Sequence, residues 1–211
     1  GTGIFVLIGT ATVGDAVRLG AGPGITLSFL LSGLACVLAA LCYAEFAAMI
    51  PVSGSAYTYS YATLGEFIAW ITGWNLILEY GVASVAVAIG WSGYFNKLLQ
   101  IAGIYLPDWA THAPGGPEGG VINLPAMIIV LLCTWMLVVG IKESARITTI
   151  IVVIKLVVIG FFIAVGADQV DTANWSPFMP NGFAGVGAAA AIVFFAYIGF
   201  DAVSPTAEEA R

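Results

Sequence analysis

Three ionisable side chains stand inside apolar stretches, where a charge is expensive. Lys155 lies in Thr149-Ile150-Ile151-Val152-Val153-Ile154-Lys155-Leu156-Val157-Val158, Glu79 in Trp74-Asn75-Leu76-Ile77-Leu78-Glu79-Tyr80, and Asp201 directly after Gly199-Phe200. If these stretches cross a bilayer, each charge near its centre costs about 2.5–3.5 kcal/mol and requires a partner or a task. Lys155 is too far from either end of its run to snorkel easily. Two readings follow. In one, Lys155 and Glu79 form a buried ion pair, or solvate one another through water, and hold a helical bundle together. In the other, Lys155 changes protonation during a cycle, because burial favours the neutral amine while a carboxylate or a carbonyl cage favours the ammonium. Surroundings that alternate in this way carry a proton. Glu45, close to the end of its own run, reads as a snorkelling or helix-end residue.

Two glycine-bearing stretches form a second signal. Gly1-Thr2-Gly3-Ile4-Phe5 opens one apolar segment, and Phe195-Ala196-Tyr197-Ile198-Gly199-Phe200-Asp201 interrupts another. Glycine lowers the cost of unwinding, and unwound backbone at membrane depth is tolerated where it lines a cavity or is buried in protein. A discontinuous helix offers free N–H groups to a carboxylate and free carbonyls to an ammonium, which together match a zwitterion. Close helix packing is the other reading of such glycines. A dinucleotide fingerprint is not present, since Phe5-Val6 replaces the later glycine of that motif.

The elements that position these residues follow from composition. The chain has 211 residues, 60% hydrophobic and 9% charged, with 26 glycines and a mean hydropathy of +1.01. Soluble domains hold nearer ~45–50% apolar and ~25% charged residues. This composition is that of a membrane protein. At about 1.5 Å rise per residue and a hydrocarbon core of about 30 Å, the length accommodates about six spans with short loops. A formal net charge of −6 with six Lys plus Arg argues against nucleic acid as a partner. The single histidine, His112, stands in a Pro/Gly-rich loop, so neither a histidine metal cluster nor a Ser-His-Asp triad can be assembled, and an enzyme is not expected. Cys36, Cys42 and Cys133 all lie in apolar runs and read as small buried packing residues.

Hydropathy and punctuation divide the chain into segments of about Gly3–Val13, Gly24–Ile50, Leu64–Tyr94, Val121–Ile141, Ile147–Ala167 and Phe183–Val203. The first is too short to span by itself. The turn Pro51-Val52-Ser53-Gly54 closes the second, a Tyr/Ser-rich stretch from Tyr57 to Tyr61 precedes the third, and a loop is expected from Asn96 to Gly120. The charged link Lys142-Glu143-Ser144-Ala145-Arg146 makes the fourth and fifth spans neighbours. Lys142, Arg146 and Arg211 fall on one side against Arg18 and Lys97 on the other, and the loop Asp168 to Asn181 holds no cation. The link is therefore expected inside and that loop outside.

The strings Gly1-Thr2-Gly3-Ile4-Phe5, Tyr43-Ala44-Glu45-Phe46 through Pro51-Val52-Ser53-Gly54-Ser55-Ala56-Tyr57, Gly73-Trp74-Asn75-Leu76-Ile77-Leu78-Glu79-Tyr80 and Phe194-Phe195-Ala196-Tyr197-Ile198-Gly199-Phe200-Asp201 occur in order along the chain. In these motifs the sequence resembles the amino acid–polyamine–organocation (APC) superfamily, and within it the cationic amino acid transporter branch with its bacterial relatives. The resemblance covers essentially the whole chain. It implies an all-α integral membrane protein of the LeuT-like inverted-repeat fold, in which broken helices 1 and 6 enclose a midplane site. Residues 1–211 would then form a partial transporter domain holding the latter part of helix 1, helices 2–5 and helix 6, with the second repeat mostly absent.

The resemblance further implies that amides at Thr2, Gly3 and Ile4 bind the substrate carboxylate and that carbonyls at Phe195, Ala196 and Ile198 bind its amino group. The Phe195 ring can cover the site. Lys155 matches a fifth-helix lysine occupying the place of sodium in sodium-coupled relatives, and Glu79 matches a third-helix glutamate associated with transport. The expectation is a proton-coupled amino acid permease of the cell membrane. Its coupling ion is the proton, no cofactor is required, and its partners are an amino acid and the lipid bilayer. Uniport or exchange with Lys155 permanently protonated, and a non-transporting receptor or scaffold of the same fold, are the alternatives.

Overall fold

In the computed structural model the described residues are 2–115, 119–139 and 141–201, with side chains described for 3–115, 119–139 and 147–201. Gly1, Arg211, and the side chains of Thr2, Lys142 and Arg146, on which part of the site and orientation expectations rest, lie outside them.

Among the described residues eight α-helices follow one another: α1 Thr2–Phe5, α2 Ile8–Val13, α3 Ile25–Met49, α4 Ser55–Leu64, α5 Glu66–Ile101, α6 Leu124–Val139, α7 Ile141–Gly166 and α8 Gly182–Val193. Gly22–Met49, Glu66–Ile101 and Ile147–Gln169 are long and apolar enough to cross a bilayer, whereas Leu124–Val139 and Gly182–Tyr197 are apolar but shorter. This is the build of a multi-pass membrane protein. Large apolar side chains facing outward, such as Leu38, Leu78 and Val157, need no protein partner where the surroundings are hydrocarbon.

Several boundaries differ from those the hydropathy suggested. The third span does not stop at Tyr94: α5 continues through Asn96, Lys97 and Gln100 to Ile101. Polar residues end an apolar run without ending a helix, and the first strong breaker here is Gly103. The charged segment 142–146 is likewise the first part of α7 and not a link, because it contains neither glycine nor proline. The Tyr/Ser stretch is a helix of its own, α4, separated from α5 by Gly65 at φ +88°. At 36 residues α5 is about 54 Å long. It must tilt or protrude from a core of about 30 Å.

The chain forms two compact units. The first comprises the residues up to Ala86 together with those from Asn174 onward, and the second is Val87–Ala173. In the first, α3 packs on α8 along a stripe of small residues. Ser28, Ser32 and Cys36 recur at i, i+4 and i+8 on α3 and are all buried, facing Val186, Ala189, Ala190 and Val193 of α8. The Ser28 hydroxyl donates to the Val186 carbonyl at 2.9 Å and that of Ser32 to the Ala190 carbonyl at 2.8 Å. Small residues bring the backbones close, and hydroxyls then reach carbonyls that have a second lone pair to offer. Ala11, Ala21, Ala189 and Val193 form the adjoining core, with Ile25, Phe29 and Ile192 against it. The connection preceding α3 is stitched to the one preceding α8 by Gly24 N–H to Phe178 O at 2.7 Å and by Asn181 Nδ2 to Gly20 O at 2.8 Å. In the tight turn after α2, the Asp15 carboxylate accepts the amides of Val17 and Arg18, each at 2.8 Å. Those bonds hold its carboxyl below the ordinary carboxylate range.

In the second unit, Asn123 starts α6 by accepting the Ala126 amide at 3.0 Å and donates Nδ2 to the buried Ser92 Oγ at 2.8 Å. Of the three cysteines, Cys36 is buried as expected. Cys42 and Cys133 instead face outward, which corrects that part of the packing assignment.

The α3–α8 stripe gives a first prediction. Ser32→Ala removes one interhelical hydrogen bond and is expected to cost about 1 kcal/mol, whereas Ser32→Leu adds a branched side chain between the helices and costs about 1–3 kcal/mol. Thermal unfolding in detergent should rank unaltered protein above Ser32→Ala and Ser32→Leu last. Equal melting of Ser32→Leu and the unaltered protein would show that the helices do not pack through this stripe.

Candidate functional site

The second glycine-bearing stretch is a break in a helix, whereas the described part of the first, Thr2–Phe5, is a single helical turn and not the unwound segment expected there. Near the start of the chain, Val6 and Leu7 separate the single turn α1 from α2. The break therefore follows Phe5, and Thr2, Gly3 and Ile4 lie in a short helical turn. Amides of a first turn have no acceptor within their own helix. Near the end of the described chain, α8 stops at Val193 after 12 residues, about 18 Å and well short of a hydrocarbon core. A 3₁₀ turn, Phe194–Tyr197, follows. Ile198 is then extended at φ −54° and ψ 132°, and Gly199 takes φ +103°. Carbonyls at such a helix end are released from the α-helical ladder.

The first helical turn meets the second break. A Cβ built on Gly3 would lie 2.4 Å from both Cα and Cβ of Ala196 and 2.7 Å from its nitrogen. Only glycine admits this approach of backbone to backbone. Thr2, Gly3 and Ile4 on one side and Phe195 and Ala196 on the other are thus brought together from opposite ends of the chain, with Ile198 following directly. Gly3 is buried and Phe195, Ala196 and Ile198 are half-buried.

The residues after the break are held by side chains from two further helices. Tyr197 donates its hydroxyl to the Phe29 carbonyl of α3 at 3.0 Å. Phe200 packs edge-on against Tyr43, with ring centroids 5.9 Å apart. Asp201 is 4% exposed, and its Oδ2 accepts the Tyr80 hydroxyl of α5 at 2.9 Å. Glu79, half-buried next to Tyr80, lies within electrostatic reach of Asp201, and Tyr43 lies within reach of both carboxylates. Two acids and two phenols from three chain segments therefore cluster beside the second break. Lys155 is half-buried in the middle of α7, within the second unit, whereas Glu79 belongs to the first. Glu45 is exposed one turn before the end of α3.

Sequence reasoning marked Asp201 as costly but named no partner for it, and it did not single out Tyr80, Tyr43 or Tyr197. The available signal was chemical: a tyrosine in a hydrophobic span must find an acceptor for its hydroxyl. A groove of about 520 Å³ beside this cluster is lined by Phe29, Leu34, Val37, Tyr197 and Phe200 among others. Its apolar walls carry no group suited to a zwitterion.

The sequence model of the amino acid permease family matches residues 1–211. Over its whole length the chain is 56% identical to the branched-chain amino acid permease BcaP of Bacillus subtilis, covering 44% of that protein. It is 53% identical to the methylthioribose transporter of the same organism, covering 45% of it, and 39% identical to the chloroplastic cationic amino acid transporter 9 of Arabidopsis thaliana, covering 37%. The chain thus spans less than half the length of these curated relatives. No solved structure matches it significantly.

The Asp201–Tyr80 bond gives a second prediction. Tyr80→Phe keeps the ring and removes the donor to a buried carboxyl group, and is expected to cost roughly 1–3 kcal/mol of stability. Chemical unfolding followed by tryptophan fluorescence measures this, and a Tyr80→Phe protein as stable as the unaltered one would show that the bond contributes nothing net.

Proposed function

The chain belongs to the amino acid permease family of the APC superfamily, a family of transporters and not of enzymes, and on that premise we propose that it forms the substrate-binding half of a proton-coupled amino acid permease of the cell membrane. The observation that carries this reading is the close approach of Gly3 to Ala196, which joins a helical first turn to a released helix end. The free amides of Thr2, Gly3 and Ile4 then receive the carboxylate, and the carbonyls of Phe195, Ala196 and Ile198 receive the ammonium. Phe195 closes over the bound amino acid. Transport proceeds by alternating access, with the two breaks as the points about which the site opens to either side.

In this reading Lys155 is the proton carrier and Glu79 its acidic counterpart in the cycle. One proton moved through 100 mV is worth about 2.3 kcal/mol, enough for a roughly fifty-fold gradient before any pH difference is added. A lysine fixed in its charged form would instead give uniport or exchange.

The relatives favour a second reading for the cargo. One is named for branched-chain amino acids, one for cationic amino acids and one for methylthioribose, a sulfur-bearing sugar with neither ammonium nor carboxylate. A site built from backbone groups for a zwitterion should reject such a molecule. Purified protein reconstituted in liposomes tests both points, using the polypeptide that carries these 211 residues. Leucine or arginine is expected to accumulate when the lumen is alkaline, and a thiosugar is not expected to compete. Lys155→Ala should abolish that accumulation while leaving amino acid binding detectable as a rise in melting temperature. Uphill uptake that is unchanged in Lys155→Ala would overturn the coupling role, and saturable uptake of the thiosugar alone would overturn the amino acid reading.

A further inference from the structure

We propose that Tyr197 is a positioning residue: its hydroxyl, seated in a notch at Gly33 and bonded to the Phe29 carbonyl, fixes where the broken segment 194–199 lies and so sets the spacing between Ala196 and Gly3. The consequence for substrate rests on the permease reading, whereas the latch itself rests on geometry.

Tyr197 is the last residue of the 3₁₀ turn, directly before the backbone swings to the extended conformation at Ile198 and the left-handed one at Gly199. A segment of that kind has given up the helical ladder that would otherwise hold it in place. Its position must come from outside. Upstream, α8 is registered on α3 by the Ser28 and Ser32 hydroxyls, which donate to Val186 and Ala190. Past Val193 the α-helical spacing that presents those carbonyls is lost, and the direction of donation reverses: the broken segment supplies the hydroxyl and α3 the carbonyl.

The notch explains why this site is on α3 at residue 29. Within the helix, the Phe29 carbonyl accepts the amide four residues on, which is that of Gly33. Its second lone pair is free to take another donor. A Cβ at position 33 would stand 3.0 Å from Tyr197 Oη, 3.4 Å from Cζ and 3.6 Å from Cε1. The absence of that atom lets the phenol lie flat on the helix and reach the carbonyl. The Phe29 ring flanks it, with centroids 6.3 Å apart at 59°.

Three measurements on the polypeptide carrying this chain test the latch. Tyr197→Phe removes the hydroxyl and keeps the ring. It is expected to speed hydrogen exchange of the amides of residues 194–199 roughly fivefold, and to raise the KM for amino acid uptake by a similar factor while leaving the maximal rate nearly unchanged. Gly33→Ala presses on the same hydroxyl and should act in the same direction more weakly. Because it acts through Tyr197 Oη, combining the two changes should cost no more than Tyr197→Phe alone. Unchanged exchange in Tyr197→Phe, or simple addition of the two effects, would overturn the latch. A uniform fall in maximal rate at constant KM would show a general structural role and also overturn it. The exchange measurement needs no substrate, so loosened exchange in a protein whose unaltered form takes up no amino acid would count against the permease reading and for the latch.

Discussion

Backbone amides and carbonyls inside a bilayer have no water to fall back on, and this constraint organises what surrounds the broken end of α8. Each group freed from a helical ladder costs several kcal/mol if it meets hydrocarbon. A broken helix is therefore possible only where the rest of the fold supplies partners or a cavity. Here the protein packed around the break is visible residue by residue. Gly3 brings a second backbone against Ala196, Tyr197 reaches the Phe29 carbonyl, and Asp201 is met by Tyr80. Small residues on α3 and α8 support the second of these. They bring the two helices near enough that hydroxyls bridge them.

Charge is handled by the same economy. Asp201 is almost fully buried and receives a phenol, Glu79 stands near it at half burial, and the loop carboxylate of Asp15 is met by two amides. Glu45 sits where its helix ends and is exposed. The deepest carboxylate, Asp201, has a donor from another helix, and the shallow ones, Asp15 and Glu45, stand at a turn and at a helix end. Lys155 stands mid-helix on α7, and the proposed cycle gives it the coupling role.

How far this was legible in the sequence depends on which force decides each element. The start and stop of α3 follow from Gly22-Pro23-Gly24 and Pro51, which act locally. The second break was legible too, because Phe194 to Asp201 combines bulky aromatics with a glycine in a segment too apolar to be a loop. Local signals misled where polarity and helicity part company: Asn96 to Ile101 and the residues 142–146 are polar or charged yet good helix formers. Least legible was the pairing of Tyr197 with Phe29, 168 residues apart. No motif marks Gly33 in the sequence, and its role emerges only once a phenol is laid across it. The resemblance placed the first and sixth helices about one site, but neither the contact of Gly3 with Ala196 nor the position of the first break, after Phe5, was expected.

The magnitudes of these contacts also order which of them gives way first. α8 is held to α3 by a continuous small-residue stripe and a shared core of Ala11, Ala21, Ala189 and Val193. Separating those surfaces exposes many atoms at once. Among the described residues the segment from Phe194 to Asp201 is held instead by phenol hydrogen bonds at Tyr197 and Asp201, by ring contacts at Tyr197 and Phe200 and by the approach of Gly3, the hydrogen bonds and ring contacts each worth about 0.5–1.5 kcal/mol, with more for a bond to a charged group. Water entering a cavity beside the break can replace a phenol at nearly equal enthalpy, whereas nothing in a bilayer replaces the packed stripe. Of the two, the segment from Phe194 to Asp201 is therefore the one that gives way first.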